Sequence, residues 1–426
     1  MKTNTSITVT LTANLRLEQA LEQALKQAGV KKPREVTKLT IYGTLTADDF
    51  QYIRKKMGKT LLELDLGNAS IEGNKIPNLA ITGSSLNSLT IPDSVTEIDI
   101  STLKFCLTTI TVGSQNLFFT SEDGVLFNKA KTELIRYPRE RKEGCYIIPD
   151  SVTKIGDNAF YLADLCSVFI PDSVTTIGRC AFSSSDLTSI TIPDSVTEIG
   201  NGAFTDCEEL MSIIISNSVR KIGRDTFYGC SGLISITIPN LVTEIGPSAF
   251  LNCYRLTSIT IPDSVIKIDR FAFKGCNLSS ISIPASVTEI ESFAFDECIN
   301  LTTITVHPNN QVYTSIDGVL FDKAKRVLVQ YPIGRKEECY VIPDSVTIIG
   351  AGTFSNCYRL TSVTIPDSVI EIEFYAFLNC ACLPTLYIPN PVAEISEFAF
   401  ERCPAFVTVH PDNPKYKSEN GRVKEK

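Results

Sequence analysis

The feature that most constrains this chain is a motif of 22 or 23 residues that recurs through most of its length. Residues 187–209 read LTSITIPDSVTEIGNGAFTDCEE, and the same landmarks return before and after them. Self-similarity at this period is typical of solenoid proteins, in which each repeat is one supersecondary unit that buries its apolar face only against its neighbours. The sequence therefore predicts a stack of similar turns rather than a single globular core.

Apolar columns at fixed offsets define the inside of each turn. In the stretch quoted above, Ile190 and Ile192 alternate with polar residues, a period of two that predicts a half-buried strand. Pro193 ends that strand because proline has no N–H to donate. A phenylalanine closes the turn, and we expect stacking to place these rings in ladders. The column comprises Phe160, Phe182, Phe204, Phe227, Phe250, Phe273, Phe295, Phe354, Phe377 and Phe400.

A solenoid grows along one axis, so the length of 426 residues does not require the two or three domains that it would usually indicate. We expect residues 1–60 to form an N-terminal helical cap that leads into the first repeats, and residues 61–426 to form the solenoid. Sixteen turns are predicted, with strand centres near residues 41, 66, 91, 110, 148, 170, 192, 215, 238, 261, 283, 306, 342, 365, 388 and 409.

Two helices are predicted near the N-terminus. Asn14 is a candidate N-cap for the first helix, which Gly29 ends. The second helix covers residues 47–57, and Thr46 and Asp49 have the spacing of a capping box. We expect both helices to cover the open N-terminal end of the stack, because a solenoid needs such a cap for solubility.

Two stretches interrupt the period, at residues 112–149 and 306–343, and they match each other closely. Both contain SxDGVLFxKAK, in which Asp-Gly stands between two extended runs and is a strong hairpin signal. A second reversal falls at the Ala-Lys pair of the same motif. Each insert is therefore predicted to be a small antiparallel meander that projects from the coil. A third copy begins at Val409 but turns polar, and we expect it to fray.

The consensus LxxIxIPxxVxxIGxxAFxxC resembles the leucine-rich repeat of the BspA-like class, found in bacterial surface proteins and some protozoa. The resemblance covers nearly all of residues 86–410. It implies an α/β solenoid dominated by β-structure, namely a right-handed leucine-rich repeat superhelix of short strands with a helical cap and two β-hairpin inserts. It implies no particular activity, because the family is defined by its scaffold.

Charge and hydropathy restrict the class of partner. The formal net charge is −8 and the pI about 5.1, which argues against nucleic acid because phosphate binding needs a basic surface. No apolar run reaches the roughly 18 residues of a membrane span, and residues 1–12 lack an apolar segment of signal-peptide type. We expect a monomeric secreted or cell-surface protein in its mature or trimmed form; a cytoplasmic scaffold would have the same features.

Eight of the fourteen cysteines occupy one column, and Ala163 and Ser185 fill the same position in earlier turns. A position that accepts Ala, Ser or Cys indicates a small buried group, so we predict buried thiols rather than disulfides or metal ligands. Zinc is disfavoured because no C-x-x-C pair occurs and the C-x-C pair of Cys380 and Cys382 has no histidine nearby. No cofactor is expected. The column consists of Cys207, Cys230, Cys253, Cys276, Cys298, Cys357, Cys380 and Cys403.

Catalytic patterns are not found in the sequence. The two histidines, His307 and His410, occupy the same position at the start of an insert copy, which favours a role in a turn over Ser-His-Asp catalysis. An aspartate column that includes Asp194 and Asp263 would line up carboxylates for calcium, but Asn217 shares the position, so turn capping is favoured. The protein is therefore predicted not to be an enzyme.

One exposed column alternates in charge along consecutive turns. Opposite charges on adjacent strands stabilise their pairing by roughly 0.2–1 kcal/mol. We interpret the column as control of strand register, with contact to a partner as the alternative. Its members are Glu198, Lys221, Glu244, Lys267 and Glu289.

Two surfaces are candidate binding sites. The first is the concave strand face, which solenoids often present to ligands, although Thr and Ser are also ordinary exposed strand residues. Its residues are Phe169, Thr191, Ile214, Thr237, Thr260, Ser282, Thr305, Thr364 and Tyr387. The second is a basic cluster in the first insert that fits an anionic glycan or an acidic protein, with a solvated hairpin as the alternative. It consists of Lys129, Lys131, Arg136, Tyr137, Arg139, Arg141 and Lys142.

We therefore interpret the chain as a non-enzymatic interaction or adhesion protein at the cell surface or in the medium, which binds an extracellular protein or glycan of a host or neighbouring cell. The alternative is an intracellular or periplasmic scaffold for protein–protein interactions with the same architecture. An enzyme acting on surface polysaccharide is a third class, but no carboxylate pair stands apart from the repeating columns.

Overall fold

The computed structural model describes residues 5–77, 85–99, 103 and 107–426. The chain divides into two compact units, residues 1–207 and 208–426. Each unit is a solenoid built from successive turns of the repeat. Two α-helices, Leu17–Gln27 and Ala47–Met57, occur in the described part of the chain, and both belong to the first unit.

Each turn contributes up to two short strands, and both kinds pair in parallel with the neighbouring turn. The segment L-x-x-I-x-I forms the first kind, as where Ser280–Ile283 pairs with Thr303–Val306. After the Pro-Asp turn, a strand of two residues such as Thr176–Ile177 pairs with Glu198–Ile199. Because the repeat has nearly constant length, equivalent residues of successive turns lie side by side, and every sequence column becomes a ladder. We call the exposed side of the first kind the strand face.

In the first unit, the N-terminal strands are Ser6–Thr10, Lys38–Leu45, Glu63–Asp65, Ala69–Ile71, Lys75–Ile76, Ser88–Ile91, Glu97–Ile98 and Thr109–Val112. The first insert contributes Phe119–Glu122, Val125–Asn128 and Glu133–Arg136. The turns that follow contribute Cys145–Ile147, Lys154–Ile155, Ser167–Phe169, Thr176–Ile177, Ser189–Thr191 and Glu198–Ile199. Two 3-10 helices, Pro33–Glu35 and Glu72–Asn74, complete the regular elements described for this unit.

In the second unit, the strand face is formed by Ser212–Ile214, Ser280–Ile283, Thr303–Val306, Cys339–Val341, Ser362–Thr364, Thr385–Ile388 and Phe406–Val409. The two-residue strands are Lys221–Ile222, Glu244–Ile245, Lys267–Ile268, Glu289–Ile290, Ile348–Ile349, Glu371–Ile372 and Glu394–Ile395. The second insert contributes Tyr313–Ile316, Val319–Asp322 and Val327–Gln330, and the third copy contributes Tyr416–Glu419 and Arg422–Glu425.

The N-terminal end contains a strand that the sequence analysis missed. Ser6–Thr10 pairs in parallel with Lys38–Leu45, which pairs in turn with Glu63–Asp65. Ile7 and Val9 are buried on one side of that strand, so their alternation with polar residues was the available signal. The helix Leu17–Gln27 packs against this strand.

The predicted N-cap is confirmed for the second helix and wrong for the first. The capping box of the second helix is confirmed, since Thr46 Oγ1 accepts a hydrogen bond from the Asp49 N–H and the Asp49 carboxylate accepts one from the Thr46 N–H. The choice of Asn14 as N-cap is wrong, because Arg16 holds that position without a side-chain cap. Gly29 follows the first helix with a φ of 67°, as predicted for its end.

The predicted boundary between cap and solenoid at residue 60 lies inside the first unit. The strand Lys38–Leu45 on one side of it pairs with Glu63–Asp65 on the other, so the same sheet continues across residue 60. The division into a helical cap and a solenoid therefore stays a prediction.

The phenylalanine column forms stacked ladders within each unit, as predicted. In the second unit the ring centroids of Phe227 and Phe250 are 5.3 Å apart, and those of Phe250 and Phe273 are 5.4 Å apart, with ring planes 14° and 2° from parallel. Two tyrosines that the sequence analysis did not assign to the column extend these ladders where the inserts end. Tyr137 stacks 5.3 Å from Phe160, and Tyr331 lies 5.4 Å from Phe354.

The buried cysteine column is confirmed at seven of its eight positions, and Cys403 is half-buried. Five of the buried thiols donate a hydrogen bond to a phenylalanine carbonyl of the preceding turn, namely those of Cys207, Cys253, Cys276, Cys298 and Cys380. Cys276 Sγ, for example, lies 3.1 Å from the Phe250 carbonyl oxygen. This bond explains why the position takes a small weak donor, and burial raises the pKa of Cys207 to about 12.

We expect thiol labelling to divide the described cysteines into two classes. The seven buried column thiols should be alkylated only after denaturation, because reagent cannot reach them and burial raises the pKa of thiols such as Cys253 and Cys276. The exposed thiols of Cys145, Cys166, Cys339 and Cys382 should react in the native protein. Cys403 should also react, increasingly between pH 6 and 8, because Cys380 lowers its pKa to about 7.

Mass spectrometry of alkylated peptides would locate each modified cysteine in this experiment. Native labelling of Cys253 as fast as that of Cys339 would contradict the burial of the column. A disulfide recovered from native protein would contradict its reduced state.

Both inserts are antiparallel meanders, as predicted, with Asp123 and Asp317 at positive φ in the first reversal. The prediction that they project from the coil is wrong. The last strand of the first insert, Glu133–Arg136, pairs in parallel with Lys154–Ile155 of the next turn. Val125, Leu126 and Phe127 are fully buried in the middle strand. Because these apolar residues are buried, the meander packs into the core and forms part of the stack.

The third copy of the insert does not fray in the structure. Tyr416–Glu419 and Arg422–Glu425 form an antiparallel hairpin. Where the second insert buries Val319 and Phe321, this copy carries Arg422 and Lys424, and both are exposed. The charged side chains therefore face solvent on this strand.

A buried asparagine anchors the start of each insert copy. Asn310 donates from Nδ2 to the carbonyl oxygens of Pro284 and Val287 at 2.8 and 2.9 Å. Its Oδ1 accepts from the N–H groups of Val312 and Tyr313 at 2.9 and 2.7 Å. All four hydrogen-bonding capacities of the side chain are thus used. Asn116 and Asn413 make the corresponding bonds in the other copies.

Candidate interaction surfaces

The strand face of the first unit carries two adjacent apolar side chains. Ile147 and Phe169 are 68% and 61% exposed, and they lie opposite each other on paired strands. Thr191 is exposed on the following turn. Exposed apolar groups that lie side by side on paired strands are typical of a contact site for another macromolecule.

The strand face of the second unit carries mostly hydroxyl groups. Thr237 pairs with Thr260, and Ser282 pairs with Thr305. Val341 is 69% exposed, although the sequence analysis did not select it. The predicted residues that the structure exposes on this surface are Ile214, Thr237, Thr260, Ser282, Thr305, Thr364 and Tyr387. Their role in binding stays a prediction.

The sequence analysis did not select Ile147 or Val341 for the strand face, and the reason is the same for both. Both lie in the C-Y-x-I-P segment that follows an insert, where the leucine of the usual strand motif is replaced. Alignment on the proline would have placed Ile147 in the column of Phe169, as the observed register does.

The basic cluster of the first insert is not the surface that the sequence predicted, because two of its members are buried. Arg136 is fully buried and donates to the carbonyl oxygens of Asn158 and Tyr161 at 2.6 and 3.0 Å. Burial lowers the pKa of Arg136 to about 10. Tyr137 is fully buried beneath Phe160, and the same burial raises its pKa to about 12. Both side chains belong to the core.

Several remaining cations of the cluster are paired within the first unit. Lys131 lies 2.9 Å from a Glu122 carboxylate oxygen, and Arg139 lies 3.5 Å from a Glu140 oxygen. Arg141 forms an ion pair with Glu143. Lys129 and Lys142 are exposed. The insert therefore presents mixed charge rather than a basic patch, which reduces the case for an anionic ligand.

The alternating charge column pairs as predicted within the second unit. Lys221 Nζ lies 2.8 Å from a Glu244 carboxylate oxygen, and Lys267 Nζ lies 2.7 Å from a Glu289 oxygen. These contacts join residues in direct register on neighbouring strands. Slippage by one turn would bring like charges together, so the pairs favour the observed register.

Comparison with known families decides what kind of protein carries these surfaces. The family model of the BspA type leucine-rich repeat region matches residues 73–143, 145–257, 243–329 and 337–417, in six copies. The chain belongs to the BspA-type leucine-rich repeat family. The resemblance seen in the consensus is thereby confirmed, and so is the predicted β-dominated solenoid of leucine-rich repeat type.

Solved structures include similar proteins of other bacteria. A leucine-rich cell surface protein from Faecalibacterium prausnitzii A2-165 shares 32% sequence identity, with 68% of this chain and 94% of that chain covered and a TM-score of 0.56. A leucine-rich repeat protein from Bacteroides ovatus ATCC 8483 shares 25% identity over 79% of this chain and 81% of that chain, with a TM-score of 0.49. A comparison with curated proteins gives no match.

The two histidines of this BspA-type chain serve turns, as predicted. His307 Nδ1 accepts a hydrogen bond from the Asn309 N–H at 3.2 Å, and His410 Nδ1 accepts one from the Asp412 N–H at 3.1 Å. Over the described ranges, no group of three or more His, Cys, Asp or Glu side chains is arranged to hold a metal ion. Neither of the α-helices within those same ranges has the length and apolar character to cross a membrane.

Proposed function

We propose that this protein is a secreted or cell-surface interaction protein that adheres to a protein of a host or neighbouring cell. The observation that carries the proposal is the exposed pair of Ile147 and Phe169 on the strand face of the first unit. A 32% identical protein from Faecalibacterium prausnitzii is described as a leucine-rich cell surface protein, which supports the location.

The chemistry of the strand face favours a protein partner over a small molecule. The face is made of parallel strands, so its side chains stand in rows rather than converge on a cleft. Apolar anchors that become fully desolvated carry much of the energy of protein–protein interfaces, while surrounding polar groups contribute complementarity. Ile147 and Phe169 have the properties of such anchors, and the exposed hydroxyl of Thr191 is suited to a polar rim.

The proposed role requires no catalysis. The histidines are engaged in turns, and the buried thiols have raised pKa values that suppress the nucleophilic thiolate. We therefore propose a non-enzymatic protein. Turnover in a hydrolase assay on pooled polysaccharides would contradict this part of the proposal.

The binding test uses the whole purified chain in biolayer interferometry against immobilised extracellular matrix proteins and a glycan panel. The double variant Ile147→Ser/Phe169→Ser should lose the binding that the unmodified protein shows. The matched control is Leu241→Ser/Ile266→Ser, which removes two exposed apolar side chains from turns of the second unit and should bind normally. Absence of any binding, or equal binding by both double variants, would overturn the proposal.

Location is tested separately on intact cells that express the native gene. Brief trypsin treatment should release peptides of this chain before any cytoplasmic marker appears. Release only after lysis would favour the intracellular scaffold instead.

A further inference from the structure

A second row of aromatic rings runs along the second unit beside the buried phenylalanine ladder. The ring centroids of Phe271 and Phe293 are 5.7 Å apart, those of Phe293 and Tyr375 are 6.2 Å apart, and those of Tyr375 and Phe398 are 5.8 Å apart. Phe374 lies against this row, 4.0 Å from Tyr375 and 6.0 Å from Phe398. We call these five residues the outer ladder.

Four of the five aromatic residues of the outer ladder have a backbone conformation that aromatic residues rarely adopt. Phe271, Phe293, Tyr375 and Phe398 have φ values between 57° and 65°, in the left-handed region. Gly352 fills the same position of the repeat in the intervening turn, with a φ of 67°. Glycine, asparagine and aspartate tolerate this conformation, whereas a bulky aromatic residue adopts it at a cost in free energy. Such costs often mark sites with a role beyond the fold.

Side-chain cations of this protein lie over Phe271 and Phe293, the first two rings of the outer ladder. The guanidinium carbon of Arg270 lies 4.7 Å from the ring centroid of Phe271 and 5.4 Å from that of Phe293. Lys274 Nζ lies 5.3 Å from the Phe271 centroid and 3.0 Å from an Asp296 carboxylate oxygen. These contacts show how a cationic group binds to such rings, over the ring face and beside a carboxylate.

The other three rings of the outer ladder, those of Phe374, Tyr375 and Phe398, have no such cation over them in the described part of the chain. Phe374 and Glu397 stand at the repeat position of Arg270. Phe374 and Phe398 are 37% and 45% exposed.

The chain beside Phe374 and Tyr375 is acidic, whereas Arg402, Arg422 and Lys424 line the cavity that Phe398 and Glu397 share. Residues 371–401 contain five glutamates and no basic residue. Glu371 lies in register with Glu394, so the alternation of charge that holds between Lys221 and Glu289 fails here. Like charges on adjacent strands repel, and Lys415 neutralises only one of this pair, at 3.0 Å from Glu394.

We propose that the rings of Phe374, Tyr375 and Phe398, with Glu373 and Glu397 beside them, form a docking surface for a basic peptide segment of a partner protein. A lysine or arginine of the partner lies over these rings as Arg270 lies over Phe271. The neighbouring glutamates attract and orient the segment. This surface is separate from the strand face, and the proposal does not rest on the function proposed above.

The test measures fluorescence anisotropy of a labelled octalysine peptide with the whole chain, and octaglutamate serves as the probe of opposite charge. The unmodified protein should bind octalysine, more weakly in high salt, and should not bind octaglutamate. Phe398→Gly should weaken octalysine binding about fivefold, since it removes a ring that attracts the cation. Phe374→Arg should weaken binding more, because it restores the chain's own cation over the rings.

Two controls separate the proposal from general attraction to an acidic protein and from misfolding. Tyr254→Ala also removes one exposed ring without a change in charge, but Tyr254 lies outside the outer ladder, so this variant should bind octalysine normally. Phe398→Gly places glycine at a left-handed position, as at Gly352, so its melting temperature should not fall. If the unmodified protein fails to bind octalysine, or if Phe398→Gly binds as tightly as Tyr254→Ala, the proposal is wrong.

Discussion

Replacing Phe250 with alanine is expected to lower the free energy of unfolding of the second unit by about 3–5 kcal/mol. The Phe250 side chain is fully buried and stacks on Phe227 and Phe273 at 5.3 and 5.4 Å. Its backbone N–H donates to the Ala272 carbonyl oxygen at 2.8 Å. These inter-turn bonds hold the neighbouring rings at their spacing, so the cavity has little freedom to collapse and most of the loss should persist.

Urea unfolding monitored by circular dichroism would measure this effect. Tyr254→Ala is the matched control, because Tyr254 is an aromatic residue four positions away that is 58% exposed, and it should change stability by less than about 0.5 kcal/mol. A loss below about 1 kcal/mol for Phe250→Ala would show that the aromatic column does not carry the core.

The second large effect is expected from Asn310→Asp, which should cost roughly 3–5 kcal/mol at pH 7. The substitution keeps the shape of the side chain but replaces its amide donor with a second acceptor. That acceptor would face the carbonyl oxygens of Pro284 and Val287, which now accept from Asn310 at 2.8 and 2.9 Å. A buried carboxylate opposite two carbonyls is neither solvated nor paired, so the start of the insert should detach from the preceding turn.

The pH dependence of Asn310→Asp has a definite sign. Burial and the facing carbonyls should raise the pKa of the new carboxyl group above its unfolded value, so the destabilisation should grow as pH rises through the unfolded pKa and shrink in acid. Asn309→Asp is the control, because Asn309 is exposed and the third copy naturally carries Asp412 there. Equal stability of the two variants at neutral pH would contradict the anchoring role of Asn310.

The corrections that concern the inserts share one physical cause, which is that the repeat accounts for these segments only in part. Arg136 was assigned to a basic surface on its charge, yet it lies where the next turn covers the end of the meander, and backbone carbonyls satisfy it. The corresponding residue of the second insert is Gln330, which donates to the Tyr331 and Thr353 carbonyls. An uncharged residue at the equivalent position was the signal that the site serves packing.

The sequence by itself determined the solenoid, because a strict period leaves few ways to bury columns of Ile, Val and Phe other than stacking equal turns. It also determined the buried thiols and the charge-paired register, which depend on neighbours one repeat away, and the turns at the histidines, which depend on a residue two positions along the chain. The tertiary structure alone decided which side chains remain exposed where the period breaks. Coverage by the next turn buries Arg136 and Tyr137, and register places Ile147 against Phe169. Spacing along the chain does not encode that coverage, because it depends on how an irregular segment packs in three dimensions.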